Sequence, residues 1–349
     1  MKKYLLLLFS YIFHFLITIS CYLNQPALCA FLIKISLFKP KSFNKKIKSK
    51  KFFIVLYREI GIRDVEIIYK SAKSDFEFLF LRRNITQVIL FCFSNKKKFF
   101  FDYLNPPTNI DDYFNQNLIN KENHQKFWTE VIYYLKKNFN NKNLKFITFN
   151  FDYYAEAALY IGCNRNDISV KLWHKEGVQT DADGNHRMKT SFSKLRHMFE
   201  YFNDISVYNE RTKERFIKLN KSNVKKISVN GCPRIKDFIV KKKYVKKIKT
   251  ILFLPFDIRR GIPKTEKNKN LSFKYSLNKV IKILNELSEN RNIKIIAKYK
   301  HNSADKIDNQ ISKKIEIFKT GSSEKFINQS DIIIGQNSVA TIEGLVNGK

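Results

Sequence analysis

The stretch "HKEGVQTDADGNHR" (174–187) sets His174, Lys175 and Glu176 side by side, then adds Asp181, Asp183 and His186. An imidazole and a carboxylate at i and i+2 face the same way while the chain stays extended. Such a pair can share a proton as general acid and base, and the ammonium between them can hold a phosphate. An ordinary polar loop has the same composition, so the cluster alone leaves both readings open. "DADGN" (181–185) begins like a calcium loop, but the twelfth position is Phe192 where the loop needs a bidentate Glu. Asp181 and Asp183 also match the metal-binding D-x-D of some sugar-transferring enzymes. Two acids at that spacing arise readily by chance, so no metal is assigned and no cofactor is expected.

Three more groups of residues are suited to anions. "KYKH" places Lys298, Lys300 and His301 together, an arrangement fit for a diphosphate, although a solvated basic turn reads the same. "GCPR" joins Gly231 to Arg234 as a phosphate-binding or purely structural loop. "DIIIGQNSVATIEGLVNGK" runs from an aliphatic stretch into Gln336, Asn337 and Ser338. A helix beginning there would present free N–H groups and its positive end to a phosphate. Ser338 would serve equally as a simple helix cap. Glu343, less than two turns in, could accept bonds from ribose hydroxyls. No G-x-G-x-x-G follows Leu56 and no G-x-x-x-x-G-K-[ST] occurs, which weakens dinucleotide oxidoreductase and P-loop readings.

All four groups follow aliphatic runs, which is where parallel α/β sheets place their ligands. Strands are expected at 51–57, 87–94, 144–150, 167–174, 204–209 and 224–231, with helices from Asp64, over 123–139, 153–162 and 210–219. In 123–139 the apolar Phe127, Val131, Tyr134 and Leu135 recur at helical spacing. A basic stretch at 240–249 interrupts the alternation and reads as a linker. Strands at 250–256, 292–300, 315–318 and 331–335 then alternate with helices over 276–289, 322–329 and 338–346. Strand–helix alternation implies mostly parallel sheets covered by helices on both faces. The predicted organisation is therefore an N-terminal α/β domain over 51–239, a basic linker over 240–249, and a C-terminal α/β domain over 250–349, with a cleft between them.

The chain has 349 residues, 44% of them hydrophobic, which is enough for two cores. Its net charge of +34 calls for an anionic partner: phosphates, nucleic acid or a membrane surface. The basic residues concentrate in the N-terminal collar and the linker, which disfavours nucleic acid. Five scattered Cys residues form no zinc or disulfide pattern and fit a reducing compartment. Residues 4–23 carry no formal charge and are about long enough to span a bilayer or to lie on it. A cleaved leader competes, as does a hydrophobic helix packed on the domain itself. Eight Lys lie between Lys34 and Lys51 and no acid precedes Glu59. This basic flank places the body of the protein at the cytoplasmic face of the inner membrane and favours anionic lipids.

Four segments, "LYREIGIRDVE" (56–66), "LWHKEG" (172–177), "VNGCPRIKDF" (229–238) and "DIIIGQNSVATIEGLVNGK" (331–349), resemble bacterial surface-carbohydrate (capsular polysaccharide type) glycosyltransferases. That family has the GT-B architecture of two Rossmann-like domains. The resemblance implies a nucleotide-sugar donor, a glycan or lipid-linked acceptor, and a role in surface polysaccharide synthesis. It also implies residue roles. Ser338 and the N–H groups around it, with Gln336 and Asn337, would hold donor phosphate. Glu343 would meet the ribose or sugar hydroxyls, Lys298 and His301 would flank the diphosphate, and His174 or Glu176 would act as base or orienting group. In the family another strand follows the final helix, so the C-terminal domain is expected to be incomplete. A nucleotide-sugar epimerase on the same fold, a non-catalytic assembly protein and a basic nucleic-acid binder are the alternatives.

Overall fold

The computed structural model describes residues 2–40, 51–57, 62–71, 76–93, 120–140, 143–148, 156–173, 201–219, 227–233, 235, 247–255, 273–289, 292–299, 308–321, 323–335 and 339–348. The chain divides into two compact units, Met1–Pro233 and Arg234–Lys349. The division falls a few residues ahead of the expected boundary at 239, and most of the expected linker lies outside the described residues. Both units are α/β with parallel strands, the Rossmann-like class expected from the alternation.

Unit 1 opens with two helices, α1 (Lys2–Tyr22) and α2 (Pro26–Ser36), joined by a tight turn. Asn24 takes a positive φ there, and Pro26 starts α2 where its missing N–H costs nothing. The six strands are β1 (Lys51–Tyr57), β2 (Phe76–Arg82), β3 (Asn143–Thr148), β4 (Val170–Trp173), β5 (Asp204–Val207) and β6 (Ile227–Val229). They pair in the order β2-β1-β3-β4-β5-β6, every pair parallel. Between them run α3 (Ile62–Ser71), α4 (Arg83–Cys92), α5 (Lys121–Asn138), α6 (Ala157–Arg165) and α7 (Glu210–Leu219).

One expectation is corrected. The run 87–94 reads as a strand in the sequence, yet residues 87–92 lie in α4, where Ile85, Val88 and Ile89 are buried at helical spacing. An aliphatic run of that length satisfies either geometry. The strand position beside β1 is taken by "FEFLFLR" (76–82), which pairs with β1 from Lys51–Phe76 to Tyr57–Arg82. The helix then starts at once, and its burial settles the choice.

The core of unit 1 gathers around α5 and α6. In α5 the side chains of His124, Phe127, Trp128, Val131, Ile132 and Leu135 form one buried stripe. Burying each of the large apolar members contributes about 1.5–3 kcal/mol. The stripe meets α6, which is buried from Ala157 to Cys163. Gly162 makes that approach possible, since a Cβ there would sit 2.9 Å from the Trp128 carbonyl oxygen.

Unit 2 holds β7 (Thr250–Leu254), β8 (Lys294–Lys298), β9 (Glu316–Phe318) and β10 (Ile332–Gly335), with α8 (Phe273–Ser288), α9 (Ser323–Gln329) and α10 (Val339–Val346). The strands are again parallel, in the order β10-β7-β8-β9. Asp331 ties the strand starts together, its Oδ2 accepting from the backbone N–H of Lys249 and Thr250, each at 2.8 Å. One face of the sheet packs Ile251, Phe253, Ile295 and Ala297 against Leu277, Ile281 and Leu284 of α8. The other packs Leu252, Leu254 and Ile296 against Phe326 and Ile327 of α9 and Ala340 of α10.

Candidate functional site

Strand order locates the ligand position in each unit. From β7 the chain moves to β8 and β9, then returns past β7 to β10. The order reverses between β7 and β10, and the crevice beyond their carboxyl ends is the switch point. β7 ends there at Leu254 and Pro255, both buried, and β10 ends there at Gly335. A Cβ on Gly335 would meet Thr341 Oγ1 at 2.7 Å and Leu254 Cβ at 3.0 Å. Only glycine lets the strand end, its neighbour and the first turns of α10 come together so closely. Thr341 Oγ1 is enclosed and finds no hydrogen-bond partner among the described residues.

One strand further along, β8 ends in Lys298. Alternation places its side chain on the face of Ile296, the face covered by α9 and α10. Only 7% of Lys298 is exposed, and its Nζ donates to the Tyr299 carbonyl at 2.6 Å. Burial lowers its pKa from the usual lysine value. No carboxylate pairs with it among the described residues. A buried ammonium held by a single carbonyl is costly, and an incoming anion would relieve that cost. Glu343 of α10 is likewise buried. Its helix lies close to β10 because Gly344 faces Ile333, whose Cδ1 would stand 2.2 Å from a Cβ at position 344.

In unit 1 the order reverses between β1 and β3. β1 ends at Tyr57, directly before Arg58 and Glu59. β3 ends at Thr148, a buried hydroxyl. The helix after β3 is headed by Glu156, fully buried, whose Oε2 accepts from the Tyr160 hydroxyl at 2.6 Å. Sequence reasoning passed over Glu156. Its signal was a lone acid at the head of an apolar helix with Tyr160 four residues on. β4, one strand away, ends at Trp173, immediately before His174. The Trp173 indole N–H is enclosed without an acceptor among the described residues, and Lys171 Nζ lies 5.7 Å from its ring centroid.

The remaining expected residues divide plainly. Lys298 and Glu343 belong to unit 2 and are buried. Gly231 follows β6 with φ +67° and open space where a Cβ would be, so backbone conformation accounts for the glycine. Before it, Asn230 Nδ2 donates to Ser206 Oγ at 2.7 Å and Ser228 Oγ at 3.2 Å, a polar cluster that closes the β5–β6 edge. His174, Glu176, Arg234, His301, Gln336, Asn337 and Ser338 lie outside the described residues, as do Lys175, Lys300, Asp181, Asp183 and His186. Among the described residues no group of three or more His, Cys, Asp or Glu could hold a metal.

His124, which sequence reasoning left unassigned, is structural. It lies fully buried in α5 and accepts from the Trp128 indole N–H at 3.1 Å through Nε2. Burial pushes its pKa down to about 3, so the ring stays neutral.

No family model matches the chain, and no curated protein matches it. Solved structures similar to it include TarM, at 14% identity and TM-score 0.38, covering 64% of this chain and 43% of that one. An alpha,alpha-trehalose-phosphate synthase (UDP-forming) from Burkholderia vietnamiensis aligns at 8% identity and TM-score 0.44, covering 86% and 82%. A UDP-GlcNAc 2-epimerase from Neisseria meningitidis, bound to UDP-GlcNAc, aligns at 12% identity and TM-score 0.44, covering 81% and 76%. The chain thus spans less than half the length of TarM.

Proposed function

We propose that this chain is a glycosyltransferase of surface polysaccharide synthesis, taking a sugar from a nucleotide-activated donor to a glycan or lipid-linked acceptor. The observation that carries the reading is Lys298, a buried ammonium at a strand end, beside a switch point where Gly335 lets a second strand end pack closely on α10. Its chemistry is that of a diphosphate site. The first N–H groups of α10 have no acceptor within their own helix and complement negative charge. Lys298 adds a cation whose desolvated state strengthens its attraction for an anion.

Transfer breaks the bond between the anomeric carbon and the donor phosphate and leaves negative charge on the departing diphosphate. Groups that hold that charge more tightly after cleavage lower the barrier. Lys298, the α10 start and His301 are assigned this role. Glu343, carried on the same helix, is assigned to the ribose hydroxyls. The acceptor hydroxyl must lose a proton as it attacks, and His174 or Glu176 is assigned to receive it.

Calorimetry on the full chain with UDP-, GDP-, CDP- and CMP-sugars tests the donor site. One nucleotide class should bind, and Lys298→Met should weaken it about tenfold or more, the value of a hydrogen bond to a charged group. Absence of binding across the whole panel rejects the reading. Conversion of the donor sugar without any acceptor would identify an epimerase instead.

A further inference from the structure

The N-terminal helices present an apolar surface that the fold leaves uncovered. Of the sixteen large apolar side chains exposed among the described residues, nine lie between Tyr11 and Ile35, so they form a patch and not a scatter. On α1 they are Tyr11, Ile12, Phe15, Leu16 and Tyr22, with Phe15 56% and Tyr22 70% exposed. At ~100° per residue these positions fall within an arc of about 140°. On α2 the stripe is Leu28, Phe31 and Ile35, at i, i+3 and i+7.

The opposite sides of both helices are committed to the domain. Ile17, Ser20 and Cys21 of α1 and Cys29, Ala30, Leu32 and Ile33 of α2 are buried, and α1 meets α4 while α2 meets α5. Polar bonds fix the first contact, with His14 Nε2 and Asn84 Nδ2 3.0 Å apart. Lys34 Nζ fixes the second by donating to the Asn138 carbonyl at 2.6 Å. A helix with one side bonded to protein cannot be ringed by lipid tails. Among the described residues no helix is long and apolar enough to cross a membrane.

We infer that the α1–α2 pair lies flat in the headgroup–acyl boundary of an anionic bilayer, with Phe15, Leu16, Phe31 and Ile35 among the inserted side chains. Exposed apolar side chains concentrated on two touching helices mark an interaction site. The surrounding charge selects the occupant. The first 58 residues contain ten Lys and Arg58 but no Asp or Glu, within a chain of net charge +34. A second copy of so basic a chain would be repelled, whereas anionic headgroups are attracted. An amphipathic helix beside basic residues is the pattern of interfacial binding. The inference concerns unit 1 alone and stands independently of the donor-site reading.

The test is flotation of the purified full chain with vesicles of phosphatidylcholine, alone or mixed with phosphatidylglycerol. The wild-type chain should float with the mixed vesicles and several-fold less with phosphatidylcholine alone. Phe15→Glu/Phe31→Glu should lower the bound fraction at least tenfold while circular dichroism and the melting transition stay unchanged. A Phe15→Leu/Phe31→Leu chain should still float, which guards against a folding defect in the acidic variant. Failure of the wild-type chain to float overturns the inference, and equal binding to both vesicles overturns the anionic assignment. A dimer by sedimentation equilibrium that the acidic variant dissolves would show that a second copy covers the face.

Discussion

The two units share an architecture but treat their buried polar groups differently. Unit 1 seats two of its buried aromatic side chains against buried partners, Trp128 on His124 and Tyr160 on Glu156. Such pairs satisfy hydrogen-bonding capacity internally and hold helices in place. Unit 2 instead buries Lys298 at a strand end with one carbonyl for company. Internal pairing belongs to groups that build a fold. A cation left with a single neutral acceptor belongs to a place where charge arrives from outside.

Substitutions can break or sharpen this contrast. The largest effect should come from Gly162→Ala in unit 1, because the added methyl would press on the Trp128 and Thr129 backbone, which cannot swing aside. Denaturant unfolding should show a loss of about 3 kcal/mol. Gly344→Ala in unit 2 would press mainly on the δ-methyl of Ile333, which can rotate, so a smaller loss is expected.

His124→Gln should cost about 2 kcal/mol at neutral pH, since it disturbs a buried hydrogen bond and its packing. It should also change the response to acid. The folded state holds this imidazole neutral down to about pH 3, while the unfolded chain protonates it near the ordinary histidine value of 6.5. Its folded pKa is depressed, so the stability it confers is present above 6.5 and lost as pH falls towards 3. The slope is at most about 1.4 kcal/mol per pH unit. His14 is lowered too, by burial and then by Arg82, and contributes with the same sign. Acid unfolding curves should therefore be shallower for His124→Gln than for the wild-type chain.

Lys298→Met should do the reverse of His124→Gln. Removing a desolvated charge should leave stability unchanged or raise it by about 1 kcal/mol, while donor binding weakens about tenfold or more. A marked loss of thermal stability would mean that Lys298 is structural and would remove the contrast between the units. Gly335→Ala should disturb the fold less than Gly162→Ala, because its methyl meets the Thr341 hydroxyl and Leu254 Cβ and not a packed backbone. Its melting temperature should fall by a few degrees, and the donor should bind about tenfold more weakly, as the strand end and α10 move apart by tenths of an ångström.

Much of this was legible in the chain. The aliphatic runs at 144–148, 250–254 and 294–298 are strands largely buried within a parallel sheet, and those at 51–57 and 332–335 are strands with half-buried residues. The stripe in 123–139 is a helix because its apolar spacing has the helical period. Run 87–94 was misassigned because its apolar residues are continuous, and continuity carries no period. β2 went unread because Glu77 interrupts its apolar face; the carboxylate rests against Lys39 at 3.3 Å.

The sequence by itself determined the alternation of elements and the concentration of positive charge near the N-terminus, because these follow from local periodicity and composition. Tertiary structure decided the rest. Strand order is a long-range property, and only the return of β10 to the side of β7 puts the switch point at Gly335. Burial is also long-range. It separates Lys298, desolvated at a strand end, from the many solvated lysines of the same chain, and it makes His124 a core residue. The same packing gives α1 and α2 one buried side and one uncovered apolar side, which their own sequence, apolar nearly all round, does not distinguish.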